Sequence, residues 1–146
     1  MPTKPIPRRT SVAIQYALSR RGVPSAAALR KWARAASPAG KVTLRIVGRR
    51  EGRTLNRRFR KRDRATNVLS FSYGRSGDVV LCHPVIAREA HAQRKSVQAH
   101  YAHLVVHGVL HLRGHRHHDK ASARTMEARE IRILRRIGFA DPYTVE

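Results

Sequence analysis

The sequence predicts an α+β fold: a single domain in which a small mixed sheet of about four strands is packed with about five helices. Three observations point there. Short apolar and β-branched runs precede residue 83, helical patterns fill the chain after it, and 146 residues suit one domain with a core of its own. One of the later helices carries an H-x-x-x-H pair.

Residues 1–10 combine prolines with basic side chains and read as a flexible basic arm, leaving 11–146 as the domain. Alternation of Val12, Ile14, Tyr16 and Leu18 predicts a strand of about eight residues, with a short helix open as the alternative. The break Gly22-Val23-Pro24 is followed by Ser25, a good N-cap for an Ala-rich helix over 26–36. Residues 42–47, VTLRIV, form a strand by β-branched content. Within the polar stretch 48–64, Leu55 and Phe59 at i, i+4 suit a short surface helix. Two short strands, 67–72 and 78–82, flank a turn over 72–77. Helices follow over 83–94, 97–113 and 121–137. Pro84 opens the first of them, and Gly114 and Gly138 close the other two.

Charge narrows the function. The chain carries 31 Lys+Arg against 9 Asp+Glu, a net charge of +22. An arginine-rich codon usage is the alternative source of part of this excess, but so large an excess repels itself and points to a polyanion. The planar fork of arginine suits phosphate. The densest stretch, 45–64, holds ten basic and two acidic residues. Aromatic residues make up 5% of the chain, so a nucleic acid would be read mainly by backbone and shape. Phe59 and Tyr73 are the nearest stacking candidates, with Phe59 assigned to the core. The single cysteine, Cys82, excludes an intramolecular disulfide and a cysteine-rich zinc module; within Val79-Val80-Leu81-Cys82 it reads as a buried small side chain. No apolar run approaches the ~18 residues of a membrane helix. No apolar segment follows the N-terminal basic residues, so the chain is expected in the cytoplasm, off the membrane.

Of nine histidines, seven fall between His100 and His118. His107 and His111, at i, i+4, share one helix face and can aim two imidazoles at one ion. Gly114 lets the chain turn back so that His117 supplies a third nitrogen; His115 and His118 compete for that place. Three imidazoles leave a tetrahedral ion one open position, the arrangement of catalytic rather than structural sites. The spacing matches H-E-x-x-H-x-x-G-x-x-H of the metzincin proteases except at Gly108, where those enzymes carry their general base. The metal cage is kept and the peptidase is not. One divalent ion is expected, zinc foremost, although three imidazoles also suit nickel, copper or iron. His91, His100 and His103 read as surface or structural residues, His103 with a supporting role beside the site open to it.

The segment 107–117 resembles the YbeY endoribonuclease family of bacterial ribosomal-RNA maturation factors, whose motif runs H-G-x-L-H-L-x-G-x-D-H. Residues 55–71, LNRRFRKRDRATNVLSF, are similar to that family's L-N-x-x-Y-R-x-K-D-x-P-T-[DN]-V-L-S-F, and 77–82, GDVVLC, to its G-D-I-x-I-C strand. Met126-Glu127 and the run 138–143, GFADPY, also fit, so the resemblance covers residues 41–146. It implies a mixed sheet with surrounding helices, a zinc-type ion on His107, His111 and His117, and cleavage of single-stranded RNA. The implied partners are ribosomal RNA and the small ribosomal subunit, with roles in small-subunit 3′-end processing, ribosome assembly and quality control. It also implies a catalytic role for Arg60, beside which Arg57, Arg58, Lys61 and Arg62 are the candidate RNA contacts. Arg116 stands where the family has Asp, Ala65 where it has Pro, and the 71–77 loop is shorter than in many members. Asp119 is near enough in sequence to stand in for the missing acid. The competing reading is a non-catalytic ribosome-assembly factor with a structural metal and a basic RNA-docking face.

Overall fold

The alternating runs of the first half of the chain pair into one sheet. The computed structural model describes residues 10–37, 39–114 and 119–144. Strands β1 (Ser11–Tyr16), β2 (Lys41–Val47), β3 (Val68–Tyr73) and β4 (Ser76–Cys82) lie in the order β1-β2-β4-β3. β1, β2 and β4 are parallel, and β3 runs antiparallel to β4, so the sheet is mixed. Helices α1 (Ala26–Ala36), α2 (Arg49–Arg60), α3 (His83–Ala92), α4 (Val97–Leu112) and α5 (Lys120–Arg136) complete the domain. None of the described helices is long and apolar enough to cross a membrane.

Period-two alternation divides the strand side chains between two faces. Val42, Leu44, Ile46, Val79 and Leu81 join the main core with α1, α4 and α5. Val47, Leu69, Val80 and Cys82 form a smaller cluster on the other face with Val85, and Leu55, Ala65 and Phe71 pack against it. Cys82 is buried there, as its apolar neighbours indicate. Each fully buried Leu or Ile contributes about 1.5–3 kcal/mol, so burial in the main core holds α4 in place.

Local chemistry sets most boundaries. Ser25 accepts from the Ala28 N–H and starts α1. Gly114, at φ +90°, adopts the left-handed conformation that ends α4 at low cost. β1 is shorter than expected: the Ala17 N–H makes the last bond to the Ile46 carbonyl, after which β2 turns into α2. Both strands of the β3–β4 hairpin run further than expected, because Tyr73 pairs with Ser76 across a two-residue turn. Of residues 1–10 only Thr10 is described. It is buried, its hydroxyl donating to the Ser37 carbonyl and its own carbonyl accepting from Arg34 Nε at 3.2 Å.

The assignment of Phe59 to the core requires correction. Phe59 is 50% exposed. α2 buries Gly52 and Asn56, and Phe59 in its last turn reaches only the rim of the sheet, meeting Phe71 of the edge strand edge-to-face at 5.2 Å.

Candidate metal centre and adjoining basic surface

α4 carries the histidines and lies directly on the sheet. A Cβ at Gly108 would fall 2.7 Å from Val79 Cγ1, 3.2 Å from Ser70 Oγ and 3.3 Å from Val68 Cγ2. Position 108 therefore faces the sheet, and its glycine permits the close approach. A glutamate in this place would be driven into β4, which gives the absence of a peptidase base a steric cause. On another face of α4 the rings of His107 and His111 lie 4.8 Å apart, centroid to centroid, both half-buried.

Behind His107 stands Glu130 of α5, with no exposed surface. His107 Nδ1–H donates to Glu130 Oε1, and the Tyr143 hydroxyl donates to Oε2. His103 Nε2 lies 3.5 Å from Oε2 and 3.1 Å from the Tyr143 oxygen. Burial pushes the Glu130 carboxyl up, but hydrogen bonds from His103, His107 and Tyr143 together outweigh it and hold the group down at about 2. Burial, reinforced by Glu130, raises the Tyr143 hydroxyl well above the usual phenol range.

Among the described residues, His103, His107 and Glu130 form a group that could hold a metal ion, each offering an atom within 4.8 Å of the others. Within that group Glu130 and His107 are bonded directly to each other. A carboxylate on one imidazole nitrogen, with the second nitrogen left as the donor to an ion, is the usual support of a ligating histidine. An imidazole backed by a carboxylate is donor chemistry that suits a divalent ion, and His107 is the member of this group so placed.

The basic stretch packs on the opposite face of the sheet from α4, and its last turn reaches edge strand β3. Its two carboxylates are both engaged: Glu51 by Arg45 at 2.6 and 2.9 Å, and Asp63 by Arg53 at 2.8 and 2.9 Å. Arg57, Arg58, Lys61 and Arg62 are exposed and form no salt bridge within the stretch, although Arg57 lies near enough to Asp63 to help hold its carboxyl down. Arg60 Nη2 donates to the Ser70 carbonyl at 3.0 Å, with its guanidinium 5.6 Å from the Phe71 ring centre. Ser70 Oγ donates to the Gly108 carbonyl, also at 3.0 Å. Two hydrogen bonds through Ser70 thus connect Arg60 to the residue next to His107.

Of the candidate ligands, His107 and His111 lie side by side on α4. His115, Arg116, His117 and His118 lie outside the described residues. Asp119 is the N-cap of α5, accepting from the Ser122 N–H at 2.8 Å and hydroxyl at 2.7 Å. His100 is structural, donating through Nε2 to Glu89 at 2.9 Å, and His91 is exposed. His103 stands beside the site. Sequence reasoning missed Glu130 and Tyr143. A signal for Glu130 was present: it occupies the apolar stripe of α5 between Met126 and Leu134, where an acid needs a partner.

Fold and site together define a small α+β protein with a carboxylate-backed histidine cluster on a central helix and an arginine-rich helix on the other face of the sheet. The family model described as Endoribonuclease YbeY matches residues 14–138. A protein named Endoribonuclease YbeY from Nitrosomonas eutropha is 46% identical over 138 residues, covering 91% of this chain and 98% of the relative. One of the same name from Stenotrophomonas maltophilia, strain R551-3, is 47% identical over 157 residues, covering 96% and 97%. The chain belongs to the YbeY family. A solution structure of TM1509 from Thermotoga maritima superposes with a TM-score of 0.55 at 20% identity, covering 92% of this chain and 99% of that one, and shares the fold.

Proposed function

We propose that this protein is a metal-dependent, single-strand-specific endoribonuclease that acts on ribosomal RNA of the small subunit in the cytoplasm. The reading rests on family membership and on one juxtaposition. Arg60, at the end of the basic helix, is tied through Ser70 to the backbone of the histidine helix. A cation that can clamp phosphate is therefore anchored on the edge strand whose Ser70 also bonds to the helix carrying His107 and His111.

His107 and His111 would hold the ion, with His117 supplying the third nitrogen. When bound, a divalent ion there supplies Lewis acidity toward a phosphoryl oxygen and toward an attacking water; zinc suits the imidazole donors. Arg60 binds a phosphate oxygen with its remaining N–H donors and stabilises charge as the phosphodiester opens. Arg57, Arg58, Lys61 and Arg62 track the flanking backbone. Phe59, half-exposed between these cations, offers a ring to an unpaired base.

The test compares metal-loaded protein, chelator-treated protein and the His111→Ala variant on single-stranded RNA, duplex RNA and a denatured polypeptide. Cleavage of the single strand by the loaded protein alone is expected. Tight RNA binding without cleavage by fully loaded protein would instead favour a non-catalytic assembly factor. A full complement of metal in His111→Ala would overturn the ligand assignment.

A further inference from the structure

We propose that Glu130 and Tyr143 are positioning residues: they select Nε2 of His107 as the metal-binding nitrogen and couple the C-terminal segment to metal affinity. The inference rests on the reading that His107 ligates a divalent ion.

A neutral imidazole carries its proton on one nitrogen and a lone pair on the other. A carboxylate only accepts, so contact with Glu130 Oε1 places the proton of His107 on Nδ1. That leaves Nε2 as the donor to a metal and excludes ligation through Nδ1. Glu130 has no exposed surface, so water cannot replace its partners. Its second oxygen takes the Tyr143 hydroxyl, which fixes the plane of the carboxylate and with it the plane of the imidazole.

Tyr143 is not part of α5. The chain turns at Gly138, where the Phe139 N–H bonds back to the Leu134 carbonyl at 2.8 Å. The segment then returns along α4 and α5. Lys95 Nζ donates to the Pro142 carbonyl at 2.6 Å, and the Tyr143 N–H donates to Asp141 Oδ1 at 2.8 Å. The Tyr143 ring also stands edge-to-face to His103 at 5.2 Å. A surface segment is thereby locked to a buried carboxylate, and through it to a histidine on the candidate metal face.

The test uses the full chain with Glu130→Leu and Tyr143→Phe. Long-range proton–nitrogen correlation on metal-free wild-type protein should place the His107 proton on Nδ1. In Glu130→Leu both tautomers should appear. Zinc affinity, read by chelator competition, should fall about 10–100-fold in Glu130→Leu, the usual cost of losing a histidine's carboxylate support. It should fall less in Tyr143→Phe, with zinc stoichiometry unchanged in both. Thermal melting of the metal-free proteins checks folding; if Glu130→Leu does not fold, Tyr143→Phe decides alone. Wild-type zinc affinity in the folded variants overturns the proposal, as does a wild-type proton on Nε2. Loss of zinc stoichiometry in Glu130→Leu, with an altered cobalt(II) spectrum in Tyr143→Phe, would make Glu130 a ligand and also overturn it. If wild-type protein binds no zinc, the metal reading itself fails and the proposal with it.

Discussion

Arg60→Ala separates chemistry from folding and binding. Among the described residues Arg60 makes one hydrogen bond, to the Ser70 carbonyl, and lies 5.6 Å from the Phe71 ring centre. Each contact, at an exposed position, is worth about 0.5–1 kcal/mol, so the variant should lose no more than about 2 kcal/mol of stability. Affinity should change little, because neutralising one phosphate on a single strand alters the salt slope by only about 0.7. Removing a donor that stabilises charge in the transition state costs about 10²–10³ in rate, or about 2.7–4 kcal/mol. The assay is single-turnover cleavage of end-labelled single-stranded RNA at saturating enzyme, with affinity by anisotropy and metal content on the same samples. Arg60→Lys should recover only part of the rate, since an ammonium lacks the planar fork. In the structure Asp63 is bridged by Arg53 while Arg60 donates to the Ser70 carbonyl, so Arg60 does not act as a staple to Asp63. Near-wild-type cleavage by folded, metal-loaded Arg60→Ala would refute the catalytic role.

Other perturbations follow from the same geometry. Gly108→Ala gains about 1 kcal/mol of helix propensity but forces a Cβ to 2.7 Å from Val79, an overpacking cost of about 1–3 kcal/mol. Denaturant midpoints should show net destabilisation, and a clear gain in stability would contradict the tight helix–sheet contact. RNA affinity should fall steeply between about 50 and 200 mM salt, and Arg57→Ala or Arg58→Ala should each reduce the slope by about 0.7; a flat dependence would remove α2 as the RNA track. Burial lowers the pKa of His100 against the opposing pull of Glu89, and also lowers that of His83. The folded chain therefore binds fewer protons at these sites than the unfolded one. Their stabilisation is present above the ordinary value of 6.5 and is lost as pH falls below it. Melting temperature of the metal-free protein should drop from pH ~7.5 to ~5.5, with a shallower drop in His100→Gln; identical curves for the two proteins would contradict the assignment to His100.

The amino-acid sequence by itself determined what depends on neighbours along the chain. Ser25 begins α1 and Gly114 ends α4 because caps act within a few residues. Alternation in 42–47 and 79–82 marked two-faced strands, and i, i+4 spacing put His107 beside His111. Motifs in order identified the family. Tertiary structure decided whatever depends on residues distant in sequence. Insertion of β4 between β2 and β3 brings Val79 under Gly108 and so explains a glycine that sequence reasoning could treat only as a missing base. The position of β3 at the sheet edge leaves Phe59 half-exposed although its spacing from Leu55 suggested burial. Glu130 acquires its meaning from His107, 23 residues earlier, and from Tyr143, 13 residues later. Periodicity places a side chain on a face, whereas hydrogen-bond partners are fixed only when helices pack and exclude water.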